Sequence, residues 1–178
     1  MKVSEAIKQR YSIRKYLDKE IPQKIMMKVL KAAQLAPSAN NAQPWYFIVV
    51  TDKEKMKKIA ESGKYAGFAD KASAIIVGCS DYITSPKWHM VDVTIAMENM
   101  VLQATELGLG TCWIGSFNID LLRQILGIPN NLTVTAILPI GYPAEEIDRK
   151  SKYAHLTSRR KKLEEIVGFN EYGNKGNT

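Results

Sequence analysis

The stretch M-E-N-M-V-L-Q-A-T-E-L-G-L-G-T-C-W-I-G, Met97–Gly115, decides the architecture. Its apolar residues continue a pattern that begins near Trp88 or Val91. Val93, Ala96, Met97, Met100, Val101, Ala104 and Leu107 recur at helical spacing, which predicts the longest helix of the chain. Gly108 is a natural stop, because glycine takes the left-handed conformation after a helix at little cost. Thr111–Gly115 then reads as a short strand. The apolar surface of the helix is broad enough to predict burial on more than one side, as at a dimer core.

Working outward, residues 120–126 read as a helix closed by Gly127 and Pro129, and Leu132–Ile140 as the last strong strand. Upstream, Trp45–Val50 and Ser73–Cys79 are continuous apolar runs, the mark of buried strands. Asp52 can cap a short helix through about Glu61. Residues 2–9 predict a short helix with Val3, Ala6 and Ile7 on one face. Pro22 suits the first position of a second helix, in which Ile25, Val29, Ala32, Ala33 and Ala36 line one face until Pro37 ends it. After Gly141 the chain is polar and basic, with one amphipathic patch at Leu163, Ile166 and Val167. Helices flanking a few strands give an α+β or α/β sandwich. A chain of 178 residues, 46% hydrophobic and 24% charged, fits one domain with its own core.

Several function classes fall away. No apolar run approaches the roughly 20 residues that span a bilayer, and the N-terminus lacks the apolar core of a signal peptide. Cys79 and Cys112 sit in apolar runs without metal-ligand spacing, which predicts two reduced, buried thiols and a cytoplasmic protein. The net charge of +7 is spread along the chain with no nucleic-acid-binding motif. It suits anionic small molecules, notably phosphorylated cofactors. His89 and His155 are the only histidines, and neither lies in a metal-binding or nucleophilic pattern.

What remains is distributed. In R-Y-S-I-R, Arg10, Ser12 and Arg14 can chelate a phosphate with two guanidinium forks and a hydroxyl; a solvated basic turn after the first helix is the alternative. In A-P-S-A-N-N-A-Q-P-W, Ala36–Trp45, the polar groups of Ser38, Asn40 and Gln43 are held between Pro37 and Pro44. That chemistry suits the polar edge of a heterocycle, and an ornate surface turn is the alternative. Backbone N–H groups at Gly115-Ser116 could point at a ligand, since glycine allows close approach. Arg159 and Arg160 could complete a phosphate clamp from the far end.

Taken in order over about 160 residues, these motifs resemble the flavin-dependent nitroreductase family. R-Y-S-I-R-K-Y is similar to its R-x-S-x-R opening, and the Ala36–Trp45 loop to its A-P-S-x-x-N-x-Q-P-W. Met97–Gly115 is similar to its dimer helix and following strand, and Gly141–Pro143 and S-R-R-K-K-L-E-E-I-V also correspond. The resemblance implies an α+β three-layer sandwich with a mostly antiparallel sheet flanked by helices. It implies one FMN-binding domain over 1–178, as a homodimer, with a tail from about 145 extended onto the partner subunit. Arg10, Ser12 and Arg14 are then implied to hold the phosphate and ribityl end of FMN, with Arg160 from the tail and Arg159 as its neighbouring alternative. Ser38, Ala39, Asn40 and Gln43 line the flavin, partly from the other subunit, and Ile114, Gly115 and Ser116 face its ring. The implied enzyme takes electrons from NAD(P)H and passes them to a nitroaromatic, quinone or similar small acceptor in ping-pong order. Flavin carries the chemistry, so no catalytic side chain is assigned. Reductive dehalogenation, flavin breakdown and non-catalytic flavin binding are the related alternatives. Unlike larger members, this chain has little between Lys64 and Ser73 or between Asp81 and Trp88, where those carry extra helices over the active site.

Overall fold

The computed structural model describes residues 1–144 and 149–175. Four strands, β1 (Trp45–Val50), β2 (Ala74–Asp81), β3 (Gly110–Thr111) and β4 (Leu132–Gly141), form one sheet in the order β1-β2-β4-β3. Every ladder is antiparallel. Side chains alternate along a strand, and β2 shows why both sheet faces must be covered. Ala74 and Ile76 enter a core with Val29 and Ala33 of α2 (Gln23–Gln34) and with Val93, Met97 and Met100 of α4 (His89–Glu106). Ile75, Val77 and Cys79 enter a second core with Met56 and Ile59 of α3 (Lys53–Glu61) and Leu122 of α5 (Ile119–Leu126). The result is the helix–sheet–helix layering and antiparallel sheet that the resemblance implied.

Local chemistry sets the boundaries. Asp52 Oδ1 accepts from the Lys55 N–H at 2.8 Å and Asn118 Oδ1 from the Leu121 N–H at 3.0 Å, so each caps its helix. Gly127 ends α5 at φ 65°, left-handed backbone that glycine adopts freely. Pro22 caps α2 with extended backbone and Gln23 is the first helical residue, one later than expected.

Three expectations need correction. In α1 (Val3–Gln9) only Ala6 is buried, while Val3 and Ile7 face solvent, because the helix meets the body on a narrow edge. The predicted strand Thr111–Gly115 is shorter and broken: β3 ends at Thr111, and Ile114 rejoins β4 as a single bridge to Ile137. The tail holds a helix not foreseen, α6 (Arg149–Thr157), besides α7 (Leu163–Ile166) on the expected patch. The first residues of the predicted tail, 145–148, lie outside those described. No helix among the described residues is long and apolar enough to cross a membrane.

Gly110 is required by close packing. A Cβ there would stand 2.8 Å from Ile13 Cβ and 2.5 Å from its Cγ1. Gly110→Ala is therefore expected to cost about 1–3 kcal/mol of stability by overpacking. Denaturant unfolding followed by circular dichroism checks this; a midpoint equal to wild type would show that the Ile13 segment yields freely.

Candidate functional site

The Arg10–Arg14 segment leaves α1 in extended backbone and runs beside β3. Ser12 forms a parallel bridge with Thr111, and the Ile13 N–H donates to the Thr111 carbonyl at 2.9 Å. That pairing fixes where both arginines stand. Arg10 is half-buried and lines a cavity of about 140 Å³ with Tyr11, Thr105 and Gly110. Among the described residues no carboxylate pairs with it. Arg14 reaches the other way. Its Nη1 donates to the Ser12 carbonyl and to Ser151 Oγ, both at 3.3 Å.

Arg14 also lines a cavity of about 200 Å³ with Tyr65, Phe68, Trp113, Ile114, Gly115 and Ser116. Two predicted groups, the second arginine and the 114–116 backbone, therefore meet in one place. The wall is rigid. Ile114 exchanges two 3.0 Å backbone bonds with Ile137. A Cβ on Gly63 would stand 2.1 Å from the Ser116 carbonyl oxygen, so the 62–68 loop lies flush against this wall. The Asn118 N–H donates to the Ser62 carbonyl at 2.8 Å and ties the two segments together. Trp113 is held from behind, its Nε1–H donating to Glu98 Oε2 on α4 at 3.2 Å. At Gly115 the space beyond the Cα is open.

The Ser38–Gln43 loop forms a tight knot. Ser38 Oγ accepts from the Gln43 N–H at 2.9 Å, and Gln43 Nε2 donates to the Asn41 carbonyl at 3.3 Å. Asn40, Asn41 and Gln43 all have positive φ, 52°, 54° and 49°. Left-handed backbone in residues other than glycine costs on the order of 1 kcal/mol each, and surrounding structure must hold it. The Ala39 N–H donates to Asp92 Oδ1, in the first turn of α4, at 3.2 Å. Thr105, beside the Arg10 cavity, lies near the other end of α4, about 20 Å away at 1.5 Å per residue. One chain thus does not bring this loop to the Arg10–Arg14 segment. Nor does it bring Arg160: Arg159 and Arg160 are exposed in the tail and make no hydrogen bond among the described residues.

Sequence reasoning missed several partners of these groups. His155 of α6 stacks on Tyr11, ring centroids 5.3 Å apart, beside the Ser151 contact to Arg14. His89 Nδ1 lies 2.8 Å from Ser80 Oγ. Asp81, the last residue of β2, accepts from the Thr84 hydroxyl at 2.8 Å and from the Ile83 N–H at 2.9 Å, which holds its carboxyl below the usual range. Residue type marks such groups as capable of bonding, but only the fold selects their partners. No group of three metal-ligating side chains occurs among the described residues.

The nitroreductase family model matches two overlapping segments, residues 7–81 and 63–142. The chain is 43% identical over 147 residues to an Archaeoglobus fulgidus protein named "Putative NADH dehydrogenase/NAD(P)H nitroreductase", covering 78% of this chain and 84% of that one. A crystal structure of a nitroreductase family protein from Clostridium difficile 630 superposes with a TM-score of 0.83 at 32% identity, covering 96% of this chain and 99% of the other. An FMN-dependent nitroreductase from Clostridium difficile R20291 gives 0.77 at 32% identity, with 94% and 98% covered.

Cys79 and Cys112 are both buried thiols. Burial pushes the Cys79 thiol from 9.0 up to about 11. Both thiols should resist a thiol reagent at pH 8 in the folded protein and react once it is unfolded. Folding favours the neutral Cys79 thiol, so this group leaves stability unchanged below pH 9.0 and lowers it as pH rises toward about 11. Rapid labelling of native Cys79 at pH 8 would contradict that burial.

Proposed function

Because the chain belongs to the nitroreductase family, we propose that it is an FMN-dependent oxidoreductase passing electrons from NAD(P)H to a nitroaromatic, quinone or similar small acceptor. The observation that carries this reading is the cavity shared by Arg14 and the Ile114–Ser116 backbone. The residues present fit FMN. Arg10, half-buried and without an acidic partner among the described residues, can take a phosphate, with Ser12 next to it. Arg14 puts positive charge beside the rigid wall at 114–116, and open space at Gly115 lets a flat ring approach. FMN, when bound, accepts and returns the hydride. The chain's own task is to hold, orient and exclude water, which explains a site without an acid–base pair. NAD(P)H and the acceptor occupy the same cavity in turn, so the kinetics are ping-pong. Tyr65, Phe68 and Trp113 present aromatic surface to whichever is bound.

A homodimer completes the site in this reading. Val91 and Ile95 are 47% and 38% exposed, and with half-buried Glu98 and Leu102 they form a stripe along α4. Two copies packed antiparallel along that stripe bring the Ser38–Gln43 loop of one to the Arg10–Arg14 segment of the other. The tail offers Tyr153, Leu156, Leu163, Ile166 and Phe169 to solvent, apolar surface suited to a second copy. Arg160, or its neighbour Arg159, joins the phosphate from there. Two buried thiols fit the cytoplasm.

Purified protein should be yellow and oxidise NADH or NADPH with a quinone or nitroaromatic, giving parallel double-reciprocal lines. A colourless protein that ignores added FMN would end this reading. Arg10→Ala removes a charge-assisted contact of about 1.5–3 kcal/mol, so FMN affinity should fall roughly tenfold or more. Unchanged affinity would move the phosphate elsewhere. Ile95→Glu puts a charge on the α4 stripe and should give a monomer by light scattering that has lost FMN; a monomer that keeps FMN would overturn the shared site.

A further inference from the structure

The strained Ser38–Gln43 loop must be held by something, and among the described residues its hydrogen bonds reveal a single tether. The bonds Asn41 N–H to the Ser38 carbonyl, Ala42 N–H to the Ala39 carbonyl, Gln43 N–H to Ser38 Oγ and Gln43 Nε2 to the Asn41 carbonyl all close within the loop. One bond leaves it, from the Ala39 N–H to Asp92 Oδ1 at 3.2 Å. Asp92 is only 3% exposed, an unusual place for a carboxylate. Its second oxygen, Oδ2, accepts from Ser85 Oγ at 3.5 Å in the connection before α4. Its own N–H donates to the Trp88 carbonyl at 2.8 Å, in the helix's first turn, where negative charge is favoured.

We propose that Asp92 is a positioning residue for the cofactor: through the Ala39 N–H it fixes the height and orientation of the Ser38–Gln43 loop against α4. This rests on the reading of that loop as part of an FMN site. Asp92 touches no ligand itself. Held at one point, three left-handed residues keep their shape and move as a unit, so loss of that point displaces Ser38, Asn40 and Gln43 together.

The test uses three variants and a titration with FMN followed by flavin fluorescence and the visible spectrum. Asp92→Ala should raise the FMN Kd about tenfold or more, since a buried hydrogen bond to a charged group is lost. Asp92→Asn keeps an acceptor for Ala39 and can donate to Ser85 Oγ, so its Kd should stay within about threefold of wild type. Ala39→Pro deletes the donor and leaves Asp92 in place. Ser38 already has φ −142° and ψ 158°, backbone suited to the residue before a proline. It should weaken FMN as Asp92→Ala does, and the double variant should be no worse than either alone. Should Asp92→Ala not fold, Ala39→Pro and Asp92→Asn decide the matter between them. A residue serving stability alone would lower the melting temperature while leaving Kd and spectrum unmoved. That result overturns the proposal, as do losses that multiply in the double variant or an Asn variant as weak as the Ala one. Wild-type protein that binds no FMN would instead overturn the reading of the site, leaving the tether untouched as a fact of the fold.

Discussion

Helix α4 must satisfy the sheet on one side while its outer stripe keeps Val91, Ile95 and Leu102 around Glu98, and that double demand organises the molecule. Its inner face supplies Val93, Ala96, Met97, Met100, Val101 and Ala104 to the larger core. Each buried Val or Met among them stabilises the fold by about 1.5–3 kcal/mol, so the helix axis has little freedom to move. One end carries Asp92 beneath the Ser38–Gln43 loop. The other leads through Gly108 into β3, to which Ser12 and Ile13 are paired. The axis therefore sets both halves of the candidate site, and Glu98 midway along steadies Trp113 on its wall.

Much of this fold is legible in residue patterns because burial dictates it. Leu132–Ile140 is a strand, and the spacing of Val93, Met97 and Met100 marks α4, because each hides a continuous apolar surface. Trp45–Val50 is a strand as well, but it stands at the sheet's edge with only Val50 buried and Tyr46 60% exposed, so the expected burial does not hold there. The failures share a cause. Val3 and Ile7 have the right spacing, but whether a short helix lies flat on the body or stands on edge depends on neighbours far along the chain. The break after Thr111 is tertiary too: the ladder stops at Thr111 and only Ile114 rejoins β4, at Ile137.

For the site, motif order pointed to four segments, and the structure joins two of them, Arg14 and Ile114–Ser116. It leaves Ser38–Gln43 at the far end of α4 and Arg160 in solvent. A sequence records which groups can bind, but not where the fold presents them. Asp92 was hidden for a different reason. An acid near a helix start is common as a cap, and nothing in its neighbourhood tells that its partner lies fifty-three residues back.

The knot at Ser38–Gln43 reaches left-handed backbone with asparagines and a glutamine where glycine would meet no steric resistance. Glycine there would widen the unfolded ensemble and let the folded loop wander. Side chains at those positions leave the loop rigid in advance, so a molecule bound there would find it already shaped and forfeit little motional freedom on arrival. Differences among variants of this loop should then show mainly in how long a ligand stays rather than how fast it comes.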